Sequence, residues 1–154
     1  MRAVRTAATE PEERLAIALK ALGLRFRRND PKVFGKPDFA FRESQLAVFV
    51  DGDFWHGRAW FENGAAPATN AEFWVGKFER NRRRDHVVNL TLRKIGWAVL
   101  RLWGSEVRKA PAASASKVRT RLRRLVMRAG RPTKAKASMR QRTKRGAAKS
   151  GRRR

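Results

Sequence analysis

Five consecutive apolar residues, Leu46-Ala47-Val48-Phe49-Val50, run directly into the polar, glycine-bracketed segment Asp51-Gly52-Asp53-Phe54-Trp55-His56-Gly57. A strand with one wet face alternates apolar and polar residues. An unbroken apolar run of this length therefore predicts a strand buried on both faces, at the centre of a sheet with helices on either side. Asp38-Phe39-Ala40-Phe41-Arg42, joined to it by Glu43-Ser44-Gln45, predicts an antiparallel neighbour. Trp97 to Trp103 predicts a third core strand, and Leu24 to Arg28 a short one. Thr9-Glu10-Pro11-Glu12 reads as a helix start, with Thr9 as N-cap and Glu12 closing a capping box. Leu15, Ala18, Leu19 and Leu22 then follow at helical spacing until Gly23. Ala71 to Ile95 predicts a long helix and Lys117 to Arg128 a basic one, whereas residues 57–70 read as a loop and 110–116 as an Ala/Ser/Pro linker. The expected architecture is an α/β domain over residues 9–129, a three-layer core with a central mixed sheet flanked by helices. A flexible start (1–8) and a disordered basic tail (130–154) complete it.

The charge narrows the partner. Thirty-eight Lys and Arg face thirteen Asp and Glu, a formal +25. Such an excess is no requirement of a fold; it implies a polyanion, whose counterions are released on binding, with an anionic membrane surface as the runner-up. Residues 130–154 carry eleven of the cations and no acid, so every acid lies in the Trp-rich body. No apolar run approaches the ~18 residues that span a bilayer, and the first residues lack the apolar stretch of a signal peptide. There is no cysteine, which removes disulfides and thiolate metal sites. A cytoplasmic, nucleoid-associated, monomeric protein is expected.

A hairpin turn centred near Ser44 and Gln45 places Asp38 opposite Asp51, and opposed residues share a face of the sheet. Two carboxylates side by side call for a counter-ion, and a divalent cation is the natural one. Taken alone, the two residues could equally be turn formers after Pro37 and before Gly52. Pro37-Asp38 with a second acid ending the next strand is nevertheless the layout of a PD-(D/E)XK nuclease hairpin, in which a metal activates water and offsets charge on the leaving oxygen. The lysine of that pattern falls at Asp53, so another base is required. His56, one of two histidines, supplies an imidazole able to take a proton from the attacking water.

Phe54 and Trp55, beside it, either fold into the core or serve as apolar wedges between base pairs. Trp74, Phe78, Asn81, Asp85, Val88, Leu92 and Ile95 form one stripe of the long helix. The polar Asn81 and Asp85 either satisfy neighbouring groups or line the site, the structural duty being the first choice for Asp85. The other face, with Lys77, Arg80, Arg82, Arg83, Arg84 and Arg93, suits phosphate contact.

Together, Pro37-Asp38-Phe39, the segment Phe49 to Gly57, Pro67-Ala68-Thr69, Glu72-Phe73-Trp74, Asn81 with Asp85, and Gly96 to Leu100 with Trp103 resemble the very short patch repair (Vsr) endonucleases over roughly residues 5–128. The resemblance implies a restriction-endonuclease-like fold. It also implies a Mg²⁺-dependent nick 5′ to the thymine of a T:G mispair left by 5-methylcytosine deamination, in double-stranded DNA, with mismatch-repair proteins as further partners. Carried across, Asp38 is the metal-bridging carboxylate and Val50 offers its carbonyl; Asp51 joins the metal end by the hairpin reading, some members having His and others Asp at its position. His56 is the general base, and Glu12 reaches the hydrated metal. Phe54, Trp55 and Trp74 insert beside the mismatch; Lys77, Arg80 and Arg84 are expected on the DNA from the basic face of the helix rather than from the resemblance. Family members commonly bind a structural zinc through cysteines, one at the Asp53 position. Without cysteine that zinc is not expected, and packing of Trp60 and Phe61 or an Arg58–Asp53 pair must hold the loop. A related restriction-like nuclease with another substrate and a non-catalytic basic DNA-binding protein are the competing expectations.

Overall fold

The computed structural model describes residues 9–129; the expected flexible start and basic tail lie outside them. Helix α1 (Glu10–Ala21) leads through β1 (Arg27–Arg28) to the hairpin β2 (Phe39–Phe41) and β3 (Leu46–Asp51). Helices α2 (Arg58–Asn63) and α3 (Ala71–Lys94) then cross to β4 (Ala98–Trp103), followed by α4 (Gly104–Lys109) and α5 (Pro111–Ala129). The chain divides into two units at Leu122–Arg123. The described part of the second is the end of α5, where Val126 and Met127 are exposed.

The sheet order is β1-β2-β3-β4. β3 is internal, as its apolar run requires: Leu46, Ala47 and Val48 are completely buried. β1, β2 and β3 pair antiparallel, but β4 is parallel to β3. A parallel neighbour needs a crossover, and that crossover, α2 plus α3, is what brings Asp85 over the end of β3.

The two faces of the sheet follow from the pleat. Ala40, Ala47 and Phe49 face one way and pack with Val33 and with Leu92 of α3, joined by Val88, Trp97 and Val99. Phe39, Leu46 and Val48 face the other way; Phe26 meets the Phe39 ring edge-on at 5.1 Å. Further buried apolar side chains come from the other helices, Leu15 and Leu19 of α1, Val107 of α4, and Val118 and Leu122 of α5. Each fully buried Leu or Phe contributes about 1.5–3 kcal/mol, enough together to hold the mixed sheet between two helical layers as expected.

Several local expectations are corrected. The hairpin pairs Phe39 with Val48 and Phe41 with Leu46, so its turn is Arg42-Glu43-Ser44-Gln45, closed by the Gln45 N–H donating to the Arg42 carbonyl. Gln45 absorbs the reversal at φ 49°. Continuing this register sets Asp38 opposite Phe49 rather than Asp51. A two-residue offset keeps the face, so Asp38 and Asp51 remain on the same side. Residues 58–63 of the expected loop are helical, as are 111–116 of the expected linker, and α4 had no expected counterpart. The expected capping box does not form. Thr9 is the N-cap, but its hydroxyl donates to the Glu12 carboxylate (2.8 Å) instead of the two exchanging bonds with the backbone. Ile95, counted on the buried stripe, falls beyond the helix and is exposed.

Candidate active site

Asp38 sits at the entrance to β2 behind the fully buried Pro37. One carboxylate oxygen accepts the Val50 N–H at 2.7 Å, which ties it to the end of β3. Burial pushes the Asp38 carboxyl up to about 6; the carboxylates of Glu12 and Asp51 add to the effect, while the Val50 N–H and the Arg101 charge oppose it. Acids from α1 and the end of β3 thus bear on the carboxylate that stands just before β2. Arg28 is the cation nearest Glu12, 3.7 Å from its carboxylate.

The loop after β3 is a pair of tight turns. The His56 N–H donates to the Gly52 carbonyl and the Gly57 N–H to the Phe54 carbonyl. Gly57 has φ 62°, and a Cβ there would lie 2.5 Å from the Phe78 ring, so only glycine lets the loop close onto α3. The turns aim His56 at two acids: its Nδ1 lies 2.8 Å from Asp85 Oδ2 and its Nε2 3.8 Å from Asp51 Oδ1. An Nδ1 bonded to a carboxylate carries the proton and leaves Nε2 as an acceptor. Burial works against the Asp85 charge, but the His56 hydrogen bond and the Arg101 guanidinium outweigh it and hold its carboxyl below the ordinary range. Asn81, one turn earlier on α3, donates to the Trp55 carbonyl at 2.7 Å. Both polar residues of the α3 stripe are therefore aimed at this loop. A groove of about 410 Å³ opens beside Asp51, His56, Asp85 and Arg101, with Phe61 and Trp103 in its walls.

Asp53 is fully engaged. It accepts the Ser105 N–H at 2.8 Å, the Ser105 hydroxyl, and the Arg58 guanidinium at 3.1 Å. Burial is overcome by these bonds, and its carboxyl is held below the usual range. Arg58 also reaches Glu62 and Glu106 and stacks 5.1 Å over Trp103. The Arg58–Asp53 pair considered from the sequence is thus present, and it fastens the loop to the start of α4.

Phe54 and Trp55 do not fold inward: about half of each remains exposed, and Phe73 more. They form an aromatic cluster with Trp74, the Phe54 ring 4.8 Å and the Trp55 ring 5.7 Å from it. Lys77 caps this cluster, its ammonium 4.9 Å from the Trp55 ring and 5.2 Å from Trp74. Arg80 and Arg84 are exposed on the same helix.

Asp51, His56 and Asp85 each offer a ligand atom, all within 4.8 Å of one another, a set able to hold a metal ion. It shares only Asp51 with the Asp38, Val50 and Asp51 set expected from sequence. Asp38 and Glu12 lie close by, and Phe54, Trp55, Trp74 and Lys77 flank the same loop. The sequence reading passed over Arg101, whose guanidinium lies 2.7 Å from Asp51 and 3.3 Å from Asp85. The signal was available: a charged residue inside the apolar run Trp97 to Trp103 needs a buried partner.

A mixed sheet between helices, with acids and a histidine gathered at one end of its central strands, defines a restriction-endonuclease-like nuclease. Residues 1–62 match the family model described as DNA mismatch endonuclease Vsr. The chain is 49% identical over 123 residues to a type II nicking enzyme of Neisseria meningitidis serogroup C, covering 80% of this chain and 83% of that one. A type II nicking enzyme of Haemophilus parainfluenzae is 46% identical over 103 residues (67% and 73%). The DNA mismatch endonuclease Vsr of Escherichia coli is 39% identical over 108 residues (70% and 69%). The chain belongs to the Vsr family of DNA endonucleases.

Proposed function

We propose that this endonuclease nicks one strand of duplex DNA on the 5′ side of the thymine in a T:G mispair, with Mg²⁺, as the first step of very short patch repair. The observation that carries the reading is that one loop bears both halves of the task. His56 points inward between Asp51 and Asp85, while Phe54 and Trp55, the two residues before it, point outward and stay exposed. Relatives named as nicking enzymes, and one named as a mismatch endonuclease, support the same reading.

The donors suit a hard dication: carboxylates of Asp38 and Asp51 and the Val50 carbonyl, with Glu12 behind them. Asp38 fits best. Its carboxyl titrates near 6 because burial and neighbouring acids leave its charge uncompensated, whereas Asp85 already faces His56 and Arg101. When bound, Mg²⁺ supplies Lewis-acid polarisation of the scissile phosphate. The protein does the rest. Asp85 fixes the His56 tautomer, and Nε2 takes the proton from the attacking water. Phe54, Trp55 and Trp74 wedge beside the mispair, with Lys77, Arg80 and Arg84 on phosphates. The endonuclease domain spans 9–129 and works as a monomer at the cytoplasmic nucleoid, alongside mismatch-repair proteins; among the described residues no helix is long and apolar enough to cross a membrane.

The test uses end-labelled duplexes with T:G or T:A at one site, in Mg²⁺ or EDTA. Nicking of the T:G duplex alone, and only in Mg²⁺, is expected. Equal cleavage of both duplexes removes the repair assignment in favour of a general nuclease; no cleavage of either leaves a DNA-binding protein.

A further inference from the structure

The carboxylates around His56 are held by a cation of the protein itself. Arg101 sits in β4 opposite Phe49 of β3, and its guanidinium stacks 4.5 Å over that ring. From there its three nitrogens diverge. Nη1 donates to Asp51 Oδ1 at 2.7 Å, Nε donates to Asn89 Oδ1 at 3.2 Å, and Nη2 lies 3.3 Å from Asp85 Oδ1. The side chain is 21% exposed, so these contacts lie largely out of water.

We infer that Arg101 is a positioning residue of the nuclease site: it bridges Asp51 and Asp85, sets the distance between them, and thereby fixes the slot in which His56 stands. This rests on the reading of Asp38 and Asp51 as the metal end and His56 as the base. The planar guanidinium is suited to the task in a way that no other side chain is. It presents donors in a rigid fork and a flat face for stacking, whereas a lysine ammonium is one point charge without a plane. The fork engages Oδ1 of both acids. Oδ2 of Asp85 is left to His56, and Oδ2 of Asp51 has no hydrogen-bond partner among the described residues. Each acid is thus used through one oxygen for structure and keeps the other for chemistry. The same charge reaches Asp38 and works against the repulsion among the acids.

Two properties are therefore separable, the shape of the fork and its charge. Arg101→Lys keeps the charge and loses the shape. Arg101→Met keeps the stem on Phe49 and loses both. Single-turnover nicking of the T:G duplex is measured beside binding of Mn²⁺ alone to the DNA-free protein by calorimetry, with folding checked by thermal melting. Both variants are expected to nick on the order of 100-fold more slowly, because a misplaced catalytic group costs about that much. Mn²⁺ affinity is expected to be unchanged in Arg101→Lys and about tenfold tighter in Arg101→Met, where a competing positive charge has gone. Nicking by Arg101→Lys at the wild-type rate overturns the inference. So does loss of Mn²⁺ binding in both variants, since a collapsed site means that Arg101 only supports the fold. If Arg101→Met does not fold, Arg101→Lys decides alone. If the wild type nicks neither duplex, the proposed function falls, and unchanged Mn²⁺ affinity in Arg101→Met then overturns the inference separately.

Discussion

Asp38→Asn is expected to stabilise the metal-free protein while abolishing its nuclease activity. In the folded chain the Asp38 carboxyl is raised from the ordinary 3.8 to about 6, first by burial and then by Glu12 and Asp51. That displacement corresponds to about 3 kcal/mol at neutral pH, a ceiling because part of the side chain still meets water. The sign follows from when each state gives up its proton. Below pH ~4 Asp38 is protonated folded and unfolded, and wild type and variant match. Between ~4 and ~6 the unfolded chain releases the proton while the folded chain keeps it, so the wild type loses stability. Above ~6 the deficit is constant. Asparagine carries no charge and its amide oxygen can still accept the Val50 N–H, so it escapes the penalty. Urea unfolding in EDTA from pH 4 to 8 should show the variant more stable by up to about 3 kcal/mol at pH 7, roughly 10 °C in Tm, with the gap closing towards pH 4. Adding Mg²⁺ should narrow the gap from the other side, because the ion stabilises only the protein that binds it. A variant less stable than wild type at pH 7 in EDTA would mean that Asp38 holds the fold together, and the electrostatic account of the site would be refuted.

Other outcomes follow from the same geometry. Asp85→Asn should slow single-turnover nicking by roughly 10²-fold with DNA affinity kept, since the amide has one acceptor oxygen for two donors, Arg101 and the His56 Nδ1–H, and no longer fixes the His56 tautomer; wild-type rates would leave Asp85 with only a packing role. Phe54→Ala combined with Trp55→Ala should cost about 1–3 kcal/mol in stability, since about half of each ring is buried in the aromatic cluster, and should narrow the T:G over T:A preference in competition assays. Arg58→Ala should cost about 1–2 kcal/mol in denaturant unfolding, because it takes the counter-charge from the partly buried Asp53 and leaves it only its Ser105 bonds, and should speed amide exchange in residues 52–57. Deleting residues 130–154 removes eleven cations and should flatten the salt dependence of duplex binding without ending catalysis.

The amino-acid sequence alone determined the elements whose pattern is local. The unbroken apolar run of β3 can only be a strand buried on both faces. The α3 stripe is written in 3–4 spacing, and the loop from Gly52 to Gly57 announces itself by placing two aromatics and a histidine between glycines. It also exposed the acids at Asp38 and Asp51 and the face they share, since moving the turn centre by one residue shifts the cross-strand partner by two and preserves that parity. What remained for the tertiary structure was everything settled by partners distant in the chain. The short helices α2 and α4 have six residues each, too few for a periodic signal, and α5 begins in an Ala/Ser/Pro stretch that composition alone marks as linker. Asp85 takes its meaning from His56, 29 positions away, and Arg101 from Asp51, 50 positions away. Only the parallel crossover that lays α3 over the end of β3 and sets β4 beside it brings those charges within hydrogen-bonding distance. Sequence supplies the groups and their faces, because propensity and alternation act between near neighbours. Which charge answers which is decided by packing, because Coulomb attraction and hydrogen bonding act only across the few ångströms that the fold creates.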